Sequence, residues 1–126
     1  MQEKKILIVD DEASIRNLFK MALSQKGYTV FSAESGEEAL ALLKEQTIPV
    51  MFLDLNLPGI NGIDLCRKII EKSPETIAYA VTGFASSYKS VECRKAGFTD
   101  YFSKPLPLQT LYSAARDAFQ KCPVPG

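Results

Sequence analysis

Residues 50–54 read Val-Met-Phe-Leu-Asp, an unbroken apolar run that ends in a carboxylate. A strand with one wet face would alternate polar and apolar residues, so this run predicts a strand that is buried on both faces. Such strands occupy the middle of a parallel sheet that is covered by helices on either side. The stretch therefore predicts an α/β fold with this strand near its centre.

On both sides of this run, short apolar segments alternate with longer segments of helical period. The predicted strands are Lys5–Val9, Thr29–Ala33, Val50–Leu53, Ile77–Val81 and Asp100–Ser103. The predicted helices carry apolar stripes made of Ile15, Leu18, Phe19, Ala22 and Leu23, then Ala39, Leu40 and Leu43, then Ile63, Cys66, Ile69 and Ile70, then Tyr88 and Val91 within about 87–96, and finally Leu108, Leu111, Tyr112, Ala115 and Phe119. Five strand-helix units in a row imply right-handed crossovers and a doubly wound parallel five-stranded (βα)5 sheet with helices on both faces.

The composition limits the size and the chemistry of the molecule. A chain of 126 residues has room for one domain, which we place at residues 1–121, with 122–126 as a tail or the start of a linker. Fifteen basic residues balance fifteen acidic ones and histidine is absent, which argues against a nucleic-acid or membrane partner and excludes His-based catalysis and His-ligated zinc.

The cysteine count and the hydropathy predict where the protein resides. Three cysteines without paired spacing favour reduced thiols over a disulfide framework. No apolar run approaches the ~20 residues of a membrane span. We therefore expect a soluble cytoplasmic protein.

Polar residues follow four of the five predicted strands. Asp10 and Asp11 follow the first strand, Asp54 the third, Thr82 the fourth and Lys104 the fifth. Each alone has an ordinary explanation, because aspartate and threonine are common turn residues and a loop lysine is usually solvated. The ligand site of an open parallel sheet, however, lies beyond the carboxyl ends of its strands, so we expect these side chains to form one site.

The charges of this set indicate a cation and a phosphoryl group. Three carboxylates close together repel one another, and a hard divalent cation such as Mg²⁺ relieves the repulsion. With a phosphoryl group on Asp54, a bound Mg²⁺ and Lys104 would leave a charge of about −1, which hydrogen-bond donors such as the Thr82 hydroxyl would stabilise. No general base stands beside Asp54, so the site is suited to holding a phosphoryl group rather than to hydrolysing a substrate rapidly.

Four motifs in a fixed order carry a resemblance to a known family. They are Asp10-Asp11 after Ile-Leu-Ile-Val, Asp54-Leu-Asn-Leu-Pro-Gly59 with Gly62, Thr82-Gly83, and Asp100-Tyr-Phe-Ser-Lys-Pro105. In this order and spacing the chain, from about Lys5 to Phe119, resembles the receiver domain of bacterial two-component response regulators.

The resemblance implies a fold, a reaction and a metal. The fold would be flavodoxin-like with strand order 2-1-3-4-5. Asp54 would be the phosphoacceptor, phosphorylated by a phosphohistidine on a sensor histidine kinase or a phosphotransfer protein. Asp11, Asp54 and the backbone carbonyl of Asn56 would bind Mg²⁺, or Mn²⁺ in its place, while Asp10 would act through water.

The resemblance also implies a switch. Lys104 would contact the phosphoryl oxygens, Thr82 would move toward them, and Tyr101 would rotate into the space that Thr82 leaves. A cis peptide is implied at Lys104-Pro105. The surface made by the fourth helix, the fifth strand and the fifth helix would then change, and a downstream effector, a fused output domain or a second copy of the chain would recognise it.

Two alternatives remain open. One is a degenerate receiver that serves as an interaction module without phosphorylation. The other is an aspartate-nucleophile phosphohydrolase, although such enzymes carry an Asp-x-Asp pair after the first strand, whereas Asp54 lies on the third and has Asn56 in the second place. We expect no turnover of a separate substrate, only self-promoted phosphotransfer and slow autodephosphorylation.

Asn56 and Phe84 occupy positions that, in the resembled family, tune attack of water on the phosphoryl group. We predict that the ring of Phe84 shields the site, so that Phe84→Ala changes the rate of autodephosphorylation. Decay of the phosphorylated protein measures this rate, and equal rates for the variant and the parent would contradict the prediction.

Overall fold

The computed structural model describes residues 3–83 and 90–121 of the chain, in which strands and helices alternate. The strands are β1 (Lys5–Val9), β2 (Thr29–Ala33), β3 (Val50–Asp54), β4 (Ile77–Thr82) and β5 (Asp100–Ser103). The helices are α1 (Ala13–Gln25), α2 (Gly36–Leu43), α3 (Gly62–Lys72), α4 (Ser90–Ala96) and α5 (Leu108–Lys121). The five predicted strand-helix units are confirmed, with β3 and β4 each one residue longer than predicted.

The five strands form one parallel sheet in the order β2-β1-β3-β4-β5. In the centre, Ile8 pairs with Phe52 and Phe52 pairs with Tyr79. The strand order confirms the flavodoxin-like topology. Because all strands run the same way, their carboxyl ends meet at one edge of the sheet.

The side chains of β3 alternate between two separate cores. Val50 and Phe52 pack with α1 and α5, whereas Met51 and Leu53 pack with α2, α3 and α4. All four are at most 2% exposed, so the strand is buried on both faces as its apolar run predicts. Helices on both faces are likewise confirmed.

The N-terminus of α2 is fixed by a capping pair, Ser35 and Glu38. The Ser35 hydroxyl accepts a hydrogen bond from the N–H of Glu38 at 3.1 Å. The Glu38 carboxylate accepts from the N–H of Glu34, at 3.2 Å, one residue before the helix cap. Two backbone donors that the helix itself cannot use are therefore satisfied.

For two apolar residues of the predicted helical stripes, the prediction that they face the core is wrong. Leu18 is 44% exposed and Val91 is 58% exposed. Leu18 lies at the margin of the α1 stripe, beyond the line where Phe19 and Ala22 meet the sheet. In α4 the buried positions are Cys93 and Ala96, so the short helix presents its small residues to the core.

Two of the three cysteines lie among the described residues. Cys66 and Cys93 are free, buried thiols, and burial raises the pKa of Cys66 to about 12, so it stays protonated. Cys122, Tyr88 and the predicted tail at 122–126 lie outside the described residues. Within residues 3–83 and 90–121, no helix is long and apolar enough to cross a membrane.

We predict that two leucine-to-alanine substitutions lower the free energy of unfolding by different amounts, because one lies in the core and the other at the margin of the α1 stripe. Leu53→Ala should lower the free energy of unfolding by about 2–5 kcal/mol, because it removes a fully buried side chain from the central strand. Leu18→Ala should lower it by less than about 1 kcal/mol. Urea denaturation measures both, and equal losses would show that Leu18 packs in the core.

Candidate functional site

The residues predicted to form the site lie at the carboxyl edge of the sheet. Asp10 directly follows β1, Asp54 ends β3, Thr82 ends β4 and Lys104 directly follows β5. The N–H of Lys104 donates to the backbone carbonyl of Thr82 at 2.8 Å, which extends the β4–β5 ladder and fixes where the lysine side chain starts. Four strands separated in sequence thus bring their end residues together.

The Lys104 ammonium lies between carboxylates from two strands and a turn. Its Nζ is 2.8 Å from Asp10 Oδ2, 3.2 Å from Asp54 Oδ2 and 3.7 Å from Glu12 Oε1. The Asp10 and Asp54 side chains are about 4–5% exposed and that of Lys104 is 16% exposed. These charges are therefore screened far less by solvent than a surface ion pair would be.

Burial and mutual repulsion determine how these groups ionise. Burial raises the pKa of Asp54, the neighbouring Asp10 carboxylate adds to the increase, and the N–H of Asn56 and the Lys104 ammonium offset it only in part. For Lys104, burial by itself would lower the pKa, but hydrogen bonds and charge attraction from Asp10 and Asp54 outweigh burial, so its pKa is raised. Lys104 is consequently a permanent cation at neutral pH, whereas the surroundings of Asp54 disfavour the negative charge of its carboxylate.

The turn between β1 and α1 presents a cluster of three acidic side chains. The carboxylate oxygens of Asp10, Asp11 and Glu12 lie within 4.8 Å of one another, with Asp11 and Glu12 exposed to solvent. Hard oxygen donors at this spacing fit Mg²⁺ or Mn²⁺. Glu12 was missed by the sequence reasoning, although it directly follows the Asp10-Asp11 pair at the strand end.

Hydrogen bonds fix the position of Asp10 in this turn. Its Oδ1 accepts from the N–H of Glu12 at 2.9 Å, and its backbone carbonyl accepts from an Arg16 guanidinium nitrogen at 2.7 Å. The same guanidinium is 3.8 Å from a Glu34 carboxylate oxygen. With Oδ2 on Lys104, both carboxylate oxygens of Asp10 already have partners inside the protein.

Asn56 connects the end of β3 to the end of β4. Its backbone N–H donates to Asp54 Oδ1 at 3.0 Å, and its side-chain amide Nδ2 donates to the Thr82 hydroxyl at 3.0 Å. Thr82 itself is fully buried. The sequence reasoning assigned Asn56 a backbone carbonyl ligand and a tuning role, but gave no signal for the contact between its side chain and Thr82.

Two close approaches hold the loop between β3 and α3 against the sheet. A Cβ on Gly62 would meet the carbonyl oxygen of Asp54 and lie 2.7 Å from the Leu55 Cα, so only glycine fits. Gly59 has a φ of 72°, and the next residue, Ile60, donates its N–H to the Glu37 carboxylate at 3.2 Å. The segment that carries Asn56 is thereby attached at one end to β3 and near its other end to α2.

Tyr101 lies on β5 directly opposite Ala80 of β4, and Thr82 pairs with Ser103 two positions further along. Because paired and alternate residues share a face, Tyr101 and Thr82 lie on the same side of the sheet. Tyr101 is half-buried there against the core formed with α2, α3 and α4.

The Lys104-Pro105 peptide is cis, as the resemblance implied. Phe84 lies outside the described residues.

A comparison with known protein families matches residues 6–116 to the response regulator receiver domain. The chain belongs to this family. The match begins at the second residue of β1 and extends through the other four strands into α5, and the resemblance drawn from the motifs is confirmed.

The receiver domain is similar to part of larger regulatory proteins. It is 42% identical over 103 residues to the transcriptional regulatory protein ResD of Bacillus subtilis, covering 82% of this chain and 42% of ResD. It is 33% identical over 128 residues to the virulence sensor protein BvgS of Bordetella pertussis, covering 96% of this chain and 10% of BvgS. The chain thus spans less than half the length of either protein.

A solved structure of a whole receiver domain is similar over nearly its full length. The CheY-like response regulator receiver domain protein of Methanospirillum hungatei superposes with a TM-score of 0.90 at 30% identity. The match covers 95% of this chain and 97% of that one. The fold of the receiver domain is therefore shared end to end.

We predict that Lys104→Met lowers the free energy of unfolding of the metal-free protein by roughly 3 kcal/mol, because it leaves buried carboxylates without their counterion. Adding Asp54→Asn to Lys104→Met should recover part of this loss, since it removes one of the repelling charges. Chemical denaturation with a chelator present measures both effects.

Lys20→Met serves as the control, because Lys20 is an exposed lysine on α1. Its effect should stay within about 0.5 kcal/mol. A loss for Lys104→Met no larger than that of the control, or no recovery in the double variant, would contradict the electrostatic role of Lys104.

Proposed function

We propose that this receiver domain is a phosphorylation-gated signalling switch that accepts a phosphoryl group on Asp54. The donor would be a phosphohistidine on a sensor histidine kinase or phosphotransfer protein. The observation that carries the proposal is the buried Asp54 carboxylate, held 3.2 Å from the Lys104 ammonium at the edge where the acidic turn also lies. A nucleophile, a cation for the phosphoryl oxygens and oxygen donors for a metal are thereby gathered around one point.

The transfer step needs only groups that this edge supplies and a phosphorylated donor. An Asp54 carboxylate oxygen forms a bond to phosphorus while the P–N bond to the donor imidazole breaks, and its electron pair returns to the ring nitrogen. The Lys104 ammonium, 3.2 Å from Asp54 Oδ2, is close enough to stabilise the negative charge of the phosphoryl oxygens. The Asn56 N–H on Oδ1 orients the carboxylate.

The acidic turn suits Mg²⁺, or Mn²⁺, which when bound would supply positive charge to the phosphoryl oxygens. Asp11, Asp54 and the backbone carbonyl of Asn56 would hold the ion directly. Asp10, which also pairs with Lys104, would contribute through water. Glu12 adds a further carboxylate to the same cluster.

The contacts of Asp54 favour holding the phosphoryl group over releasing it. Among the described residues, its carboxylate contacts the N–H of Asn56 and the ammonium of Lys104, and neither group can take a proton from an attacking water. General-base assistance would be expected in an enzyme that turns over substrate. We therefore infer slow autodephosphorylation without turnover of a separate substrate, with Asn56 and Phe84 tuning its rate.

The switch would proceed through Thr82 and Tyr101. A phosphoryl group on Asp54 provides new hydrogen-bond acceptors for the Thr82 hydroxyl, and Tyr101 would then turn inward on the same face of the sheet. The surface formed by α4, β5 and α5 would change with it. A downstream effector, a fused output domain or a second copy of this chain would recognise the changed surface.

We predict that acetyl phosphate with Mg²⁺ phosphorylates the parent protein at one site and that Asp54→Asn removes the label. The physical reason is that an amide cannot act as the nucleophile, although it has nearly the same shape. Asp64→Asn, at an exposed aspartate on α3, is the matched control and should keep the label. Phosphate incorporation in each variant, with and without a chelator, gives the measurement.

Three outcomes would contradict this proposal in different ways. Full labelling of Asp54→Asn would show that another residue accepts the phosphoryl group. Absence of label in the folded parent with Mg²⁺ present would favour an interaction module. Rapid turnover of small phosphate esters would favour a phosphohydrolase.

A further inference from the structure

Asn56 lies two residues after the proposed phosphoacceptor Asp54, and its side chain contacts the proposed switch residue Thr82. Its backbone N–H donates to Asp54 Oδ1 and its amide Nδ2 donates to the Thr82 hydroxyl, each at 3.0 Å. A single residue thus connects the carboxylate that would receive the phosphoryl group to the hydroxyl that would move toward it. A residue that merely gates water would not need the second contact.

The surrounding backbone fixes both ends of this hydrogen bond. The N–H of Leu55 donates to the Val81 carbonyl at 3.4 Å, and the N–H of Lys104 donates to the Thr82 carbonyl at 2.8 Å. Gly62 packs directly under the carbonyl of Asp54, so the loop has little room to shift. The relative position of Asn56 and Thr82 is therefore set by three neighbouring strands rather than by the two side chains alone.

Burial makes this hydrogen bond costly to lose. Thr82 is 0% exposed and Asn56 is half-buried. A buried hydroxyl that gives up a hydrogen bond loses the energy of that bond, because water does not reach it freely to replace the contact. The hydrogen bond from Asn56 therefore stabilises the position that the Thr82 hydroxyl has in the unphosphorylated domain.

We propose that the side-chain amide of Asn56 is a positioning residue that holds the Thr82 hydroxyl in its resting orientation, and so sets how readily the switch responds. The proposal rests on the proposed function of Asp54 and adds a second role to Asn56. The Thr82 oxygen accepts from the Asn56 amide in its present position, so the hydroxyl must leave that amide in order to move toward the phosphoryl group and donate to it. Removal of the amide should shift the equilibrium toward the activated arrangement without adding any contact to the phosphoryl group.

The first experiment needs neither metal nor phosphoryl group. Three-bond couplings to the Thr82 methyl carbon report its χ1 rotamer by NMR in the metal-free protein. One dominant rotamer is expected in the parent, and a mixture in Asn56→Ala and in the bulkier apolar variant Asn56→Leu. Asn17→Ala, at an exposed asparagine on α1, should leave the rotamer unchanged. An unchanged rotamer in both Asn56 variants would overturn the proposal.

The second experiment uses beryllium fluoride with Mg²⁺ as a probe of the activated arrangement. Asn56→Ala should bind this probe more tightly than the parent, by roughly two- to tenfold, because a hydrogen bond of the resting arrangement is gone. The gain should persist in a Thr82→Ser background, which keeps the hydroxyl. It should vanish in Thr82→Val, which has nearly the same shape and no hydroxyl.

The remaining outcomes separate this proposal from the proposed function. Equal or weaker binding of Asn56→Ala, or an effect of the same size in the Thr82→Val background, would show that Asn56 acts directly on the phosphoryl site and would overturn the positioning role. If the parent fails to bind beryllium fluoride at all, the proposed function fails, while the rotamer of Thr82 still decides whether Asn56 holds it.

Discussion

The ion pairs of the Lys104 ammonium with Asp10 and Asp54 are the interaction on which the rest of the site depends. Nζ lies 2.8 Å from one carboxylate and 3.2 Å from the other, at a sheet edge where Asp11 and Glu12 add further negative charge. Without this cation, the end of β1 and the end of β3 would repel each other in a poorly solvated space. The chain sums to zero charge, yet its acids outnumber its bases at this one edge. That local excess of negative charge suits a divalent cation such as Mg²⁺, whose positive charge would in turn be needed to hold the proposed phosphoryl group on Asp54.

The sheet makes this arrangement possible because it holds the repelling groups rigidly. β3 is covered on both faces, by α1 and α5 on one side and by α2, α3 and α4 on the other, so Asp54 emerges from the best-packed strand of the domain. The neighbouring hydrogen bonds, from Lys104 N–H to Thr82 carbonyl and from Asn56 N–H to Asp54, tie the side chains to that frame. Under the proposed function, a phosphoryl group would change the arrangement of the Thr82 and Tyr101 side chains at this edge while the sheet stays in place. The buried sheet thus holds the charged residues of the site in place.

Much of this could be predicted from the sequence, because unbroken apolar runs determine buried parallel strands and parallel strands bring their carboxyl ends together. The strands and the convergence of Asp10, Asp54, Thr82 and Lys104 follow from that rule. The edges of the buried helix faces could not be predicted, as the exposed Leu18 shows. Periodicity gives the direction in which a helix face points but not how wide the buried face is. Contacts between side chains that follow different strands cannot be predicted from these patterns either. Neither the ion pair of Glu12 with Lys104 nor the hydrogen bond from Asn56 to Thr82 has a sequence signal, because both depend on rotamers and on loop geometry.

The central claim is that Lys104 and Thr82 both contact a phosphoryl group on Asp54, and that Thr82 leaves Asn56 to do so. A crystal structure of the domain with Mg²⁺ and beryllium fluoride tests it most directly. We predict beryllium bonded to an Asp54 oxygen, with Lys104 Nζ and the Thr82 hydroxyl each hydrogen-bonded to fluoride and the hydroxyl no longer held by Asn56. Beryllium fluoride bound away from Asp54, or bound there with no contact to Lys104 and with the Thr82 hydroxyl still held by Asn56, would contradict the claim.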